Sequence, residues 1–185
     1  MPQTKEKPKL KDYLNYAGIL LCNVNPYLPS LSDIDCQWTD ATALIDDHEL
    51  FYCKAYRKRT TYLSQEAYFL LKQCRTRKPL KGASERLYEF LKESGPMETD
   101  QLKVLAGMDG PAFTKAFDFL LENLYVTAFK NGRILNPNWS TFVYSTAEAW
   151  ETAVEKPSLE GDPQTRLQEL LLKTMPLEEF AKLIK

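Results

Sequence analysis

The chain has 185 residues, of which 44% are hydrophobic, and a formal net charge of −1. It is long enough to bury a core in one domain or two small ones. Its apolar runs are too short to cross a bilayer, and its basic N-terminus leads into no signal-peptide core. Four cysteines without a CxxC pair, and a single histidine, argue against a zinc site. We therefore expect a cytoplasmic protein with reduced thiols, no metal, no cofactor and no membrane partner.

The charges are strongly segregated along the chain. Residues 1–53 carry a net charge of −4, residues 54–81 carry +8, and residues 82–185 carry −5. A basic block within an otherwise acidic chain is typical of phosphate contacts. The alternative is that acidic neighbours in the fold neutralise the block.

The N-terminal part begins with a predicted tail at residues 1–9, followed by a helical region over residues 10–81. A helix is predicted over residues 9–17 and ends at Gly18. Residues 19–47 are rich in turn residues but also hold several large apolar side chains. They favour an ordered loop packed on the body of the protein, with disorder as the alternative.

The basic block is expected to lie on three elements. Asp46 and Glu49 resemble a capping box, which predicts a helix running to residue 57. Residues 59–63 are β-branched and aromatic and predict a short strand. Ser64 can then cap a helix that extends to residue 76.

Residues 82–154 predict a winged helix. Apolar spacing predicts a helix from residue 82 to Gly95, a short second helix at 100–106, and a third at 111–123. Residues 124–144 then favour a β-hairpin whose turn is the sequence Lys-Asn-Gly-Arg. The expected fold class is mainly α with small β-wings (α+β), and the region before residue 82 could itself be a second, reduced winged-helix unit.

The C-terminal part follows as a predicted linker and helices over residues 155–185. A helix at residues 146–154 closes the winged-helix unit. Asp162 and Pro163 are typical of a helix start, and Pro176 should break the amphipathic stretch that follows.

The third helix, which is the recognition helix of a winged helix, is poorly suited to reading bases. Its exposed positions are Thr114, Lys115, Asp118 and Glu122, with one positive and two negative charges. We therefore predict weakly sequence-specific binding of duplex DNA through cations of the basic block and the hairpin. The predicted site residues are Lys54, Arg57, Lys58, Arg59, Lys72, Arg75, Arg77, Lys78, Lys130 and Arg133.

Two other functions stay open. The acidic recognition helix and the apolar C-terminal helices are also typical of a winged helix that forms a homodimer or binds another protein. A shortened repair enzyme is the other alternative, with His48 or Asp46 as the reactive group. No residue is assigned as catalytic, because no nucleophile or phosphate-loop motif occurs.

Three segments carry a family resemblance: residues 18–32 (GILLCNVNPYLPSLS), residues 54–75 (KAYRKRTTYLSQEAYFLLKQCR), and the winged-helix pattern after Gly82. Together they resemble the bacterial AlkZ-related proteins, which are similar to the winged-helix DNA glycosylases of the AlkZ/YcaQ type. The resemblance implies tandem winged-helix units, duplex DNA binding and metal-free excision of alkylated or cross-linked bases in DNA repair.

One motif of those glycosylases is missing from the chain. They carry Gln-x-Gln or Gln-x-Asp after a Gly-aliphatic-aliphatic turn. Here the turn at residues 18–20 is followed by Leu21, Cys22 and Asn23. Leucine cannot orient a water molecule, and a neutral asparagine amide is not a general base. The resemblance therefore implies the fold and DNA binding without the glycosylase motif.

Overall fold

Two small antiparallel sheets organise the computed structural model, which describes residues 7–137 and 139–185. The predicted tail lies outside these residues except for its last three, which begin the first helix. Division of the chain at residues 9, 81 and 154 stays a prediction.

The first half contains seven elements in the order helix, strand, 3-10 helix, helix, strand, strand, helix. These are α1 (Lys7–Ala17), β1 (Ile19–Leu21), the 3-10 helix (Leu31–Ile34), α2 (Trp38–Asp46), β2 (Leu50–Tyr56), β3 (Arg59–Ser64) and α3 (Gln65–Cys74). β3 is the central strand and pairs antiparallel with both β1 and β2.

The second half repeats that order, with a full helix in place of the 3-10 turn. Its elements are α4 (Gly82–Ser94), β4 (Met97–Glu98), α5 (Thr99–Ala106), α6 (Gly110–Glu122), β5 (Val126–Asn136), β6 (Trp139–Thr146) and α7 (Ala147–Ala153). The last strand is again central, between β4 and β5. The α+β class is confirmed, and both halves have a winged-helix-like order, the first in reduced form.

Each half ends in a helix that a hydroxyl side chain caps. The hydroxyl of Ser64 accepts a hydrogen bond from the Ala67 amide at the start of α3, and Thr146 does the same for Ala149 at the start of α7. Two further helices follow, α8 (Pro163–Leu171) and α9 (Leu177–Leu183).

The predicted helix at residues 46–57 is wrong, because that segment is the end of α2 and then β2. Leu50 and Tyr52 face one hydrophobic core, whereas Phe51 and Cys53 face the other. A strand that is buried on both faces has a continuous run of apolar residues in its sequence. Hydrophobic periodicity alone cannot distinguish such a run from a buried helix. Residues 19–47 are ordered as expected, but α2 within them was not predicted.

The predicted hairpin turn at residues 130–133 is also wrong. These residues belong to β5, where Lys130 pairs with Val143 and Asn131 with Phe142. The next paired residue is Ile134, opposite Ser140, so Gly132 and Arg133 form a bulge. An Asn-Gly pair can accommodate a bulge as well as a turn, and the strand reversal here lies beyond Asn136.

The two halves pack reciprocally. Helix α2 of the first half lies against β5 of the second, and helix α6 of the second lies against β2 of the first. Between these elements, Asn131 donates to Asp46 at 2.8 Å and Lys54 donates to Asp118 at 2.7 Å. One core lies between the halves, and the second lies beneath α3, α7, α8 and α9.

Gly18 connects α1 to β1 and packs against α8. Its φ is +78°, and a Cβ there would lie 2.8 Å from side-chain atoms of Leu170 and Leu171. We expect Gly18→Ala to lower the free energy of unfolding by about 2 kcal/mol, from left-handed strain plus the clash. Urea denaturation measures this change.

Gly107→Ala separates the two causes of that loss. Gly107 has a φ of +62°, but among the described residues, its chain neighbours and its own helix's backbone aside, no atom lies within 4 Å of the position that a Cβ would take. It should lose only the strain contribution, about 1 kcal/mol. Equal losses in the two variants would show that α8 does not press on Gly18.

Candidate nucleic-acid interface

Half of the predicted cations form salt bridges with acidic side chains. The closest nitrogen–oxygen distances are 2.7 Å for Lys54–Asp118, 2.8 Å for Arg57–Glu179, 2.5 Å for Lys72–Glu151, 3.4 Å for Arg77–Glu148 and 2.8 Å for Arg133–Glu98. Arg133 also lies 3.1 Å from Asp100. Since a paired cation already has its counter-charge, these five side chains have less to offer a phosphate.

The remaining predicted cations lie in different environments. Arg75 is partly buried, which lowers the pKa of its guanidinium, and it donates to the Ala55 carbonyl at 3.4 Å. Lys130 lies with Arg133 in a cavity of 480 Å³ that Glu98 and Asp100 also line. Among the paired cations, Lys72 lines another cavity, of 440 Å³, together with Glu151. The cations therefore line several separate cavities.

Two of the predicted residues, Lys58 and Lys78, do meet in one groove of 590 Å³. Lys81 and Lys115 line it as well, and Glu122 is its acidic residue. We call this the lysine groove. Within the described residues, no salt bridge involves any of its four lysines.

The floor of the lysine groove is apolar and helical. Ala112, Ala116 and Phe119 contribute from α6, and Ala83 contributes from the first turn of α4. The free amides at the start of a helix carry partial positive charge, so the start of α4 adds to the field of the lysines.

The segment that carries Lys78 is held in place by the second half. The Tyr125 hydroxyl donates to the Lys78 carbonyl at 2.6 Å, and the Lys78 amide donates to the Asn123 side chain at 3.4 Å. The Arg77 guanidinium lies 4.4 Å from the centre of the Tyr125 ring. The backbone on this side of the groove is therefore ordered before any ligand binds.

Lys58 is presented by a strained turn between β2 and β3. Arg57 and Lys58 form the whole two-residue turn, with φ of 49° and 57°, a left-handed conformation that favours glycine or asparagine. Such strain persists where neighbouring contacts hold it. Two contacts hold Arg57 here. The Glu179 carboxylate of α9 accepts two hydrogen bonds from it, each of 2.8 Å, and the Tyr27 ring centre lies 3.8 Å from its guanidinium.

The predicted recognition helix, α6, is partly covered. Thr114 and Lys115 are exposed, but Asp118 is half-buried and bonded to Lys54 of β2. Its accessible side faces the lysine groove through Ala112 and Lys115.

Sequence reasoning did not include Lys81 and Lys115 in the site. Lys81 is the last residue of the basic block and Lys115 is an exposed position of the predicted third helix, so the sequence carries a signal for each. What the sequence does not reveal is that the β2–β3 turn reaches α6, because this contact joins the two halves.

The three residues that follow the turn at residues 18–20 are divided between core and surface. Leu21 is buried in the second core, whereas Cys22 and Asn23 line a separate aromatic cavity. Burial raises the pKa of the Cys22 thiol, and a hydrogen bond with Tyr62 offsets part of this rise. The thiol is therefore protonated at neutral pH.

The side chains proposed for the enzyme alternative have structural contacts. Asp46 accepts hydrogen bonds from the Asn131 backbone amide at 2.7 Å and from its side chain at 2.8 Å. The His48 ring packs on Phe129 with 4.3 Å between centroids. Asp46 therefore acts in the packing of α2 on β5.

Comparison with known proteins identifies the family. The family model described as AlkZ related matches residues 31–185, which is most of the chain. No curated protein and no solved structure matches significantly. Within the described part of the chain, no helix is long and apolar enough to span a membrane. The chain belongs to the AlkZ-related family.

Proposed function

We propose that this protein binds duplex DNA with little sequence preference, through the lysine groove and the neighbouring Arg59. The observation that carries the proposal is the meeting of four lysines, from the β2–β3 turn, the segment before α4, and α6, none of which forms a salt bridge within the described residues. Ammonium groups of this kind bind phosphates by releasing counterions, whatever the base sequence.

Arg59 extends the positive surface away from the groove. Together with Lys54 and Lys58 it lines a smaller cavity of 220 Å³. Its guanidinium is exposed and lies 5.5 Å from the centre of the Tyr27 ring. Lys58 belongs to both cavities, so a phosphate backbone could follow cations from one to the other. Contacts from Lys130 and Arg133 remain a prediction.

The family supports DNA as the nucleic acid, since the AlkZ-related family suggests a fold related to DNA glycosylases. Reading of base edges by α6 is not part of the proposal, because β2 covers one side of that helix and Asp118 is bonded to Lys54.

Removal of two groove lysines tests the proposal. We expect Lys78→Ala/Lys115→Ala to weaken binding of a fluorescein-labelled duplex by roughly 10- to 100-fold at about 0.1 M salt. The slope of log K against log salt should become shallower by about two, equally for duplexes of different sequence. Fluorescence anisotropy over a salt series measures both quantities.

The matched control is Lys92→Ala/Lys185→Ala, which removes the same charge at two exposed positions outside the groove. It should leave the salt slope nearly unchanged. Equal losses in the two double variants would show a general charge effect, and absence of duplex binding at low salt would refute the proposed function. Stable self-association without DNA binding would favour the protein-interaction alternative.

A further inference from the structure

A cavity of 460 Å³ lies where the first sheet meets the hairpin of the second half. We propose that it receives a single unpaired base of the bound DNA, an inference that rests on the proposed function. Its volume lies within the range of about 300–1,000 Å³ that is common for small-molecule sites. We call it the aromatic pocket, and its rings are those of Trp38, Tyr52, Tyr62, Trp139 and Phe142.

Two tryptophans from opposite halves stack at this pocket. Trp38 begins α2 and Trp139 begins β6, and their rings are 5.5 Å apart and within 13° of parallel. Trp139 is 56% exposed. An indole face left in water is costly, and it is a surface on which a nucleobase stacks whatever its identity.

The polar groups of the pocket are uncharged. Tyr52 and Tyr62 are almost fully buried, which raises the pKa of each phenol, and Cys22 is a thiol beside Tyr62. Asn23 and Thr60 add an amide and a hydroxyl at the same cavity. Neutral donors and acceptors around apolar rings suit the edge of a heteroaromatic ring better than a charged ligand.

The surroundings of the pocket indicate that this ring belongs to a nucleic acid. Asn23 and Thr60 line both the aromatic pocket and the 220 Å³ cavity that contains Lys58 and Arg59. Lys58 in turn lines the lysine groove. A continuous series of cavities thus joins cations suited to phosphates with rings suited to a base. A free aromatic metabolite would need only the pocket.

The experiment compares three probes bound to the full chain. These are a fully paired duplex, the same duplex with one bulged 2-aminopurine, and free 2-aminopurine riboside. We expect the bulged duplex to bind about tenfold more tightly than the paired one, because stacking adds to the phosphate contacts. The fluorescence of 2-aminopurine, which stacking quenches, should fall on binding.

Trp139→Ala should abolish both the preference and the quenching while paired-duplex affinity stays the same. Trp139→Tyr should retain part of each, since it keeps a ring. The matched control is Leu135→Ala on the same hairpin, because Leu135 is likewise 56% exposed but lies outside the pocket. It should behave as the original chain.

Each other outcome overturns the inference in a distinguishable way. Equal affinity for paired and bulged duplexes, without quenching, removes the base pocket and leaves the DNA proposal intact. Binding of the free riboside as tight as that of the bulged duplex assigns the pocket to a small molecule. Failure to bind either duplex refutes the proposed function and this inference together.

Discussion

Glu179→Ala is expected to lower the free energy of unfolding by about 3 kcal/mol, because this carboxylate joins α9 to the β2–β3 turn. Only 11% of the Glu179 side chain is exposed. It accepts hydrogen bonds from the Tyr56 hydroxyl, from two nitrogens of Arg57 and from Lys182. Its loss leaves the buried Tyr56 hydroxyl without its acceptor and removes two hydrogen bonds from the strained turn.

Urea denaturation measures the change, and Glu178→Ala provides the control. Glu178 is the preceding residue of the same helix and is exposed, so its removal should cost less than about 0.5 kcal/mol. Equal losses at positions 178 and 179 would show that the Arg57 contact contributes little to stability.

The stability contributed by Glu179 should depend on pH. Hydrogen bonds from Arg57 and Tyr56 lower the pKa of this carboxyl in the folded protein, although burial opposes them. Its contribution is therefore fully present above the unfolded value, about 4.3, and is lost as the pH falls below it. The stability difference between the original chain and Glu179→Ala should be smaller at pH 3 than at pH 7. A difference that does not change with pH would exclude the charged hydrogen bonds as its source.

Thr127→Val is expected to cost about 3 kcal/mol, because one buried hydroxyl fastens the two halves together. Thr127 is fully buried, and its hydroxyl accepts from the Tyr52 amide and donates to the Tyr52 carbonyl, both at 2.9 Å. Valine has nearly the same shape but leaves both backbone groups buried without a partner, at roughly 1–3 kcal/mol each.

Chemical denaturation of this variant should show one transition shifted to lower urea. Thr114→Val is the matched control, because Thr114 is exposed on α6, and it should change stability by less than about 0.5 kcal/mol. A loss at Thr127 no larger than at Thr114 would mean that the backbone groups find other partners.

The sequence predicts best those elements whose signals are local. Helices α3 and α8 begin where Ser64 and Asp162 indicate, because a cap bonds an amide three residues away. Strand β2 was missed because both of its faces are buried, one of them against the other half. The Asn131–Gly132 pair predicts a turn but forms a bulge, because the same residue pair occurs in both structures.

The same distinction between local signals and contacts that join distant residues applies to the candidate site. The segregation of charge is visible along the sequence, and the basic block that it defines contains Lys58 and Lys78, which the structure brings into one groove. Which cations are neutralised depends on carboxylates far away in the chain, such as Glu179 for Arg57 and Glu148 for Arg77. The stacking of Trp38 on Trp139 likewise joins residues from opposite halves, so no spacing rule could have found it.

The reciprocal arrangement of α2 on β5 and α6 on β2 limits how the molecule could meet a duplex. The sides of α2 and α6 that face the opposite half could reach a ligand only if the halves separated, and separation would expose the core between them and break the Tyr52–Thr127 bonds. A duplex would instead rest along one flank of an undivided body. The protein would then select its binding sites by the helical form and local distortion of the DNA rather than by its base sequence.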